Sequence, residues 1–271
     1  MHETAATGHV AIVTGANQGI GAAVARALAA RGAAVLCTGL PLRAADGGAP
    51  QSTYDKQRAT GLDEVVDTIR AAGGRAVPME ADLAEPATAA ALFDHAEEHL
   101  GPVDILVNNA SGWVQDTFTP DPVDRFDRVL RPVTSATWAQ QFAVDARAPA
   151  LLIAELARRH LERGADWGRI IGLTSGGDLG FPGEVSYGAA KAAQTDYTLS
   201  AAVELAPFGI TANVVHPPVT DTGWVTDEVR RFVEASTTHF HVAEPDDVAR
   251  TLVHLASDEA ALITGNVIVL R

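Results

Sequence analysis

The chain reads as one doubly wound α/β domain, a parallel sheet covered by helices on both faces, because short apolar runs alternate with longer amphipathic ones along its length. Two observations sharpen this. The apolar runs are short and rich in β-formers, as strands buried on both faces must be. Nothing in the 271 residues marks a domain boundary or an internal repeat, so a single domain over 1–271 is expected.

Seven segments qualify as strands: HVAIVTG (9–15), AAVLCTG (33–39), RAVPMEA (75–81), VDILVNN (103–109), GRIIGLTS (168–175), ITANVVH (210–216) and NVIVL (266–270). Each is bounded by Gly, Pro or polar residues. Between them, residues 19–31, 62–72, 87–100, 136–163, 185–205 and 246–256 carry apolar side chains at helical spacing. Two stretches break the rhythm. Residues 40–60 are rich in Gly, Pro and polar side chains, and residues 111–134 hold three prolines and several aromatics. Connections this long inside a domain are usually functional or disordered.

The formal charge of −14 argues against nucleic acid, which needs clustered Lys and Arg. An anionic ligand would have to be held by a local device rather than by the overall field. Cys37 is the only cysteine, so no intramolecular disulfide or thiolate metal cluster is possible, and its apolar neighbours predict an inert core position. No carboxylate or Cys stands at ligand spacing from the histidines, and no metal is expected. The N-terminal residues lack the apolar core of a signal peptide, and no stretch is long and apolar enough to span a bilayer. A soluble, cytoplasmic protein without membrane partners is expected.

The local device stands at residues 14–21, TGANQGIG, directly after the first strand and opening the first helix. Gly15 can turn sharply, Gly19 lets the backbone approach a pyrophosphate, and Gly21 permits close helix–strand packing. The helix start then offers amide N–H groups and a positive dipole end to phosphates. At the end of the second strand, TGLPLR has no Asp or Glu for ribose hydroxyls, and Arg43 is the nearest cation. NADP(H) is therefore favoured over NAD(H), with a narrow margin.

Tyr187 and Lys191 stand four apart in YGAAK, on one face of a helix. A tyrosine with a pKa of about 10 is a poor base at neutral pH, and a nearby ammonium favours its phenolate. Ser175 ends the fifth strand just before that helix, where its hydroxyl can hold a carbonyl or alcohol oxygen beside the phenol. Ligands in such sheets bind beyond the carboxyl ends of the strands, where TGANQGIG, NNAS and TSGG all meet.

Taken in this order, TGANQGIG, VDILVNNAS, GRIIGLTS and YGAAK resemble the short-chain dehydrogenase/reductase family, including members of the 3-oxoacyl-carrier-protein reductase type, and the likeness covers essentially the whole chain. The resemblance implies a Rossmann domain of about seven strands in the order 3-2-1-4-5-6-7, bound NAD(H) or NADP(H), and hydride transfer to or from a carbonyl or alcohol. It implies proton transfer by Tyr187, orientation of the substrate oxygen by Ser175, and tuning of Tyr187 by Lys191, which would also bind the nicotinamide ribose. It assigns cofactor contacts to Gly15, Asn17, Gln18, Gly19, Ile20 and Gly21 in the turn. Asp82 and Leu83 would lie near adenine, Asn108, Asn109 and Ala110 beside the adenosine ribose, and Pro217, Thr220 and Thr222 along the nicotinamide and phosphates.

The sequence departs from the family pattern at four places, one being the closing VIVLR, which lacks the family's terminal glycines. Asp145 replaces an asparagine that binds an ordered water on the proton route from the lysine. Ser175 stands one residue closer to Tyr187 than is usual, and Pro218 replaces a glycine. Two other readings stay open: a cofactor-binding protein without redox turnover, and a lyase or epimerase. Residues 111–134 and 223–242 should wall the substrate, the latter as a lid carrying Trp224, Phe232, His239, Phe240 and His241, with Trp113 and Phe118 adding apolar surface. The helices over 136–163 and 185–205 carry more apolar surface than one sheet face needs. A homotetramer, or failing that a dimer, is expected.

Overall fold

The apolar runs become strands. In the computed structural model, which describes residues 6–41, 59–124, 128–176 and 180–271, β1 (Val10–Thr14), β2 (Ala34–Gly39), β3 (Arg75–Glu80) and β4 (Ile105–Asn108) precede a short pair, β5 (Asp116–Thr117) and β6 (Arg131–Pro132). Then come β7 (Gly168–Leu173), β8 (Ile210–His216) and β9 (Val267–Val269). Seven of these pair in parallel in the order β3-β2-β1-β4-β7-β8-β9. Counted without the short pair, that is the expected order 3-2-1-4-5-6-7. The chain is a Rossmann-type domain.

Helices α1 (Gly19–Ala30), α2 (Asp63–Ala71), α3 (Thr88–His99), α4 (Ser135–Phe142), α5 (Ala148–Glu162), α6 (Val185–Glu204), α7 (Asp227–Glu234) and α8 (Pro245–Leu255) cover the sheet. Successive strand side chains point to opposite faces. Ala11 and Val13 therefore pack with Leu28, Val65, Ile69 and Leu252 on one side, while Val10 and Ile12 pack with Leu92, Phe93, Leu152 and Leu156 on the other. Each such buried Val, Leu, Ile or Phe side chain stabilises by roughly 1.5–3 kcal/mol, which explains why the strands read as apolar runs. Cys37 sits fully buried on the first face, where burial pushes its thiol up to about 12, as an inert core residue should be.

Most expected helices are found within a residue of their predicted ends, the usual spread of helix termini. One expectation is corrected. Residues 136–163 do not form one continuous α-helix, because a π turn over Ala143–Arg147 separates α4 from α5. The extra residue of a π turn rotates the helical residues beyond it, and here the turn carries the fully buried Asp145. Within 111–134 the β5–β6 pair and a bridge between Val123 and Val129 give this segment structure of its own. Most of the 40–60 segment, Arg43 included, lies outside the described residues.

Candidate active site

The carboxyl ends of β1, β4, β7 and β8 open on one cleft of about 1820 Å³. A pocket for a small ligand is roughly 300–1,000 Å³, so this one has room for a dinucleotide and a second molecule together.

At one end lies the glycine turn. Gly15 and Gly19 adopt φ of +63° and +53°, left-handed conformations that glycine alone takes at little cost. A Cβ on Gly21 would stand 2.1 Å from the Gly15 carbonyl oxygen, so this position closes the turn rather than facing the cleft. The first bond within α1 runs from Ala22 N–H to the Gln18 carbonyl at 3.1 Å, leaving the amides of Gly19, Ile20 and Gly21 without helical acceptors. Gln18 is extended and makes no side-chain cap; its buried Oε1 has no partner among the described residues. Such a cradle suits the phosphates of a dinucleotide: open amides, no acidic side chain in the turn, and no room for a Cβ.

The turn is held from beneath. Thr14 Oγ1 donates to the Val107 carbonyl (3.2 Å) and accepts from the amides of Asn109 (2.9 Å) and Ala110 (3.0 Å). Asn109 Nδ2 donates to the carbonyls of Thr14 (2.8 Å) and Gly15 (3.2 Å). Asn109 thus anchors the turn as well as lining the cleft. Asn108 is buried, and its side-chain amide has no partner among the described residues. Asp82 lines the cleft with Leu83 and accepts from the Ala84 amide at 2.8 Å.

At the other end stand Ser175, Tyr187 and Lys191. Ser175 follows Thr174, whose amide bonds the Val215 carbonyl (2.9 Å) and whose hydroxyl accepts from Thr195 Oγ1 (2.9 Å), so the end of β7 is tied to both β8 and α6. Phe181 lies against Tyr187, ring centres 5.8 Å apart. Lys191 Nζ is 5.9 Å from the Tyr187 ring centre. Lys191 is 2% exposed and donates to Gln194 Oε1 at 2.9 Å. Its Nζ also lies 3.0 Å from Asp145 Oδ1, an ion-pair contact whose alignment falls outside that of a hydrogen bond. The other Asp145 oxygen accepts from the Gly112 amide (2.8 Å) and Gln141 Nε2 (2.6 Å). The π turn thus delivers a buried carboxylate to the buried ammonium.

The cleft brings together Gly15, Asn17, Gln18, Gly19, Ile20, Asp82, Leu83, Asn109, Ala110, Ser175, Tyr187, Lys191, Pro217 and Thr222. Asp145 stands behind Lys191. Thr220 is buried behind the wall, its hydroxyl committed to the Pro218 carbonyl at 2.9 Å. Sequence reasoning missed the polar support: Thr14, Gly112, Gln141 and Gln194, together with Asp116 and Glu184 at the start of α6. The inward spacing of Lys191, Gln194 and Thr198 on a buried helix face was the available signal. In the expected lid, Thr226 caps α7 through the Val229 amide, and Trp224, Phe232 and His239 face the cleft, while Phe240 and Phe118 are exposed and do not line it.

A glycine turn with open amides and a Ser, Tyr and Lys set share the carboxyl edge of one parallel sheet, the layout of a Rossmann-type α/β domain. The family described as enoyl-(acyl carrier protein) reductase matches residues 15–270, and the chain belongs to it, within the short-chain dehydrogenase/reductases. An uncharacterized oxidoreductase of Bacillus subtilis, YjdA, is 35% identical over 96% of this chain and 94% of its own length. A dehydrogenase/reductase from Sinorhizobium meliloti superposes with a TM-score of 0.79 at 33% identity, covering 99% of this chain and 95% of that one. A 3-oxoacyl (acyl-carrier-protein) reductase from Agrobacterium tumefaciens, solved with NADP bound, gives 0.80 at 27% identity over 99% and 95%.

Proposed function

We propose that the protein transfers hydride between NADP(H), in preference to NAD(H), and a carbonyl or alcohol, with Tyr187 exchanging the proton. The observation that carries the proposal is the sharing of one cleft by the glycine turn and by Ser175, Tyr187 and Lys191. When bound, the nicotinamide supplies or takes up the hydride.

In the reducing direction the Tyr187 hydroxyl donates its proton to the substrate oxygen, and in the oxidising direction the phenolate accepts one. Ser175 orients that oxygen beside the phenol. Lys191 brings positive charge to the phenol and offers donors toward a ribose, while Asp145 holds the ammonium in place. Gly15, Asn17, Gln18, Gly19 and Ile20 would hold the pyrophosphate, Asp82, Leu83, Asn109 and Ala110 the adenosine, and Pro217 and Thr222 the nicotinamide end.

The cofactor preference is supported by the absence of a carboxylate at Gly39 and Leu40, which end β2 at the cleft, and by the NADP-bound relative. We assign Arg43 to the 2′-phosphate on sequence grounds. A homotetramer, or else a dimer, is supported by exposed Leu151 on α5 and exposed Tyr197 and Val203 on α6. No helix among the described residues is long and apolar enough to cross a membrane, and we propose a cytoplasmic enzyme.

The test is Tyr187→Phe. Turnover of carbonyl substrates with NADPH should fall by about 10²–10⁴-fold while NADPH affinity stays within about threefold. Retained turnover would remove Tyr187 from the proton step.

A further inference from the structure

Glu184 occupies the N-cap of α6, three residues before Tyr187, yet its side chain caps nothing. The helix start is capped instead by Asp116 of β5, seventy residues away in sequence. Asp116 is fully buried and accepts from the Ser186 amide at 2.8 Å and the Ser186 hydroxyl at 2.5 Å. Asp116 therefore releases Glu184 from the usual duty of its position.

Released, Glu184 turns to the cleft, which it lines while only 6% exposed. Its Oε1 accepts from Trp113 Nε1 (3.3 Å) and Arg128 Nη1 (3.0 Å). Its Oε2 receives no hydrogen bond from any described residue. Arg128 is also engaged by Asp124, through Nε and Nη2 at 2.7 Å each. This wall thus sets the carboxylates of Glu184 and Asp124 against one guanidinium shared between them. The cation beneath Tyr187, Lys191, is likewise occupied by Asp145.

We infer that Glu184 is a specificity-determining residue, its open oxygen accepting a hydrogen bond from a hydroxyl or ammonium group of the substrate, and that the cleft takes neutral or cationic donor-bearing carbonyl compounds in preference to carboxylates. The inference deepens the proposed activity and rests on it only in taking this cleft as the substrate's. Burial pushes the Glu184 carboxyl above the ordinary range, against the opposing pull of Arg128 and the Trp113 bond. A donor arriving on Oε2 relieves that cost.

The test measures binding without turnover. Tyr187→Phe protein loaded with NADP⁺ is titrated calorimetrically with cyclohexanone and with its hydroxy, amino and carboxy derivatives, the substituent walked around the ring. At least one hydroxy or amino derivative should bind about tenfold tighter than cyclohexanone, and every carboxy derivative more weakly. In Glu184→Gln an amide nitrogen replaces the open oxygen, donates instead of accepting, and should reverse the ranking of amino and carboxy derivatives. Glu184→Asp keeps the charge at shorter reach and should weaken the ranking without reversing it. Tighter binding of carboxylates by the starting protein, no donor-dependent binding, or a ranking unmoved by Glu184→Gln overturns the inference. Donor-dependent binding without NADPH-linked reduction by the Tyr187-intact protein leaves it standing and removes the oxidoreductase reading instead.

Discussion

Replacing Asp145 with Asn keeps the shape of a fully buried side chain and deletes its charge. The carboxylate touches Lys191 Nζ at 3.0 Å, and that nitrogen is 5.9 Å from the Tyr187 ring centre. The charge is therefore no farther than about 9 Å from the ring, the two separations laid end to end. At an effective dielectric of about 20, a unit charge at that distance is worth about 1.8 kcal/mol, or roughly one pH unit after partial screening. The sign comes from the charges. Asp145 opposes a phenolate at Tyr187 through its own charge, so deleting that charge favours the phenolate, while an amide oxygen at the same place still faces the Lys191 ammonium. Oxidation of alcohols, which needs the phenolate, should reach its plateau at a pH lower by about one unit in Asp145→Asn. The assay is kcat/KM for alcohol oxidation across pH, paired with the ultraviolet phenolate signal that Tyr187→Phe removes. A shift below about 0.3 unit, or one toward alkaline pH, would refute the electrostatic argument and reduce Asp145 to packing.

Gly21→Ala places a methyl group 2.1 Å from the Gly15 carbonyl oxygen, so the turn must open. A loss of about 1–3 kcal/mol is expected, read as a lower Tm together with weakened NADPH binding; unchanged values for both would show that the turn is not closed as described. Hydrogen bonds from Arg158 and Arg159 hold the Glu155 carboxyl down at about 2, against an ordinary value of 4.5. A folded value below the unfolded one stabilises above the unfolded value and fades as pH falls through the folded one. Glu155→Gln should therefore lower stability in denaturant at neutral pH, and the difference should close between about pH 4.5 and 2; a difference that persists at the acid end contradicts this. Phosphate capture by backbone amides rather than cations predicts that NADH affinity changes less than about twofold with added salt, while NADPH weakens further if Arg43 holds its extra phosphate. Equal salt response of the two cofactors would remove Arg43 from that role.

What the sequence displayed was whatever is encoded locally. Gly15, Gly19 and Gly21 sit between a strand and a helix, and that context together with their spacing marks a turn suited to phosphate. Tyr187 and Lys191 share a helix face at any tertiary arrangement. Strand order was legible because parallel units leave few topologies and because the resemblance spans the chain. The π turn at Ala143–Arg147 was not legible, because the α-helical pattern runs through it. Its geometry accompanies a demand of the fold, that a carboxylate at 145 meet an ammonium at 191 and the Gly112 amide together. The Asp116 cap was hidden for the same reason, since the groups it joins are seventy residues apart. Nothing near Asp116 in sequence distinguishes it from an ordinary loop acid.

These hidden contacts share one electrostatic logic. The chain carries an excess of fourteen negative charges, yet its proposed ligand is a polyanion. At the phosphate end the turn offers dipoles without carboxylates, so the anion meets local attraction where the overall field is screened. At the reacting end two cations already face carboxylates: Lys191 faces Asp145, and Arg128 faces Asp124 and Glu184. A second anion entering beside the nicotinamide would find no uncommitted charge on these two residues and would have to displace a buried ion pair, which costs several kcal/mol. On the proposed mechanism the Lys191–Asp145 pair tunes Tyr187, and both pairs set the sign of the substrate. Selectivity against anionic carbonyls and a Tyr187 titration tied to Asp145 are two consequences of a single arrangement of buried charge.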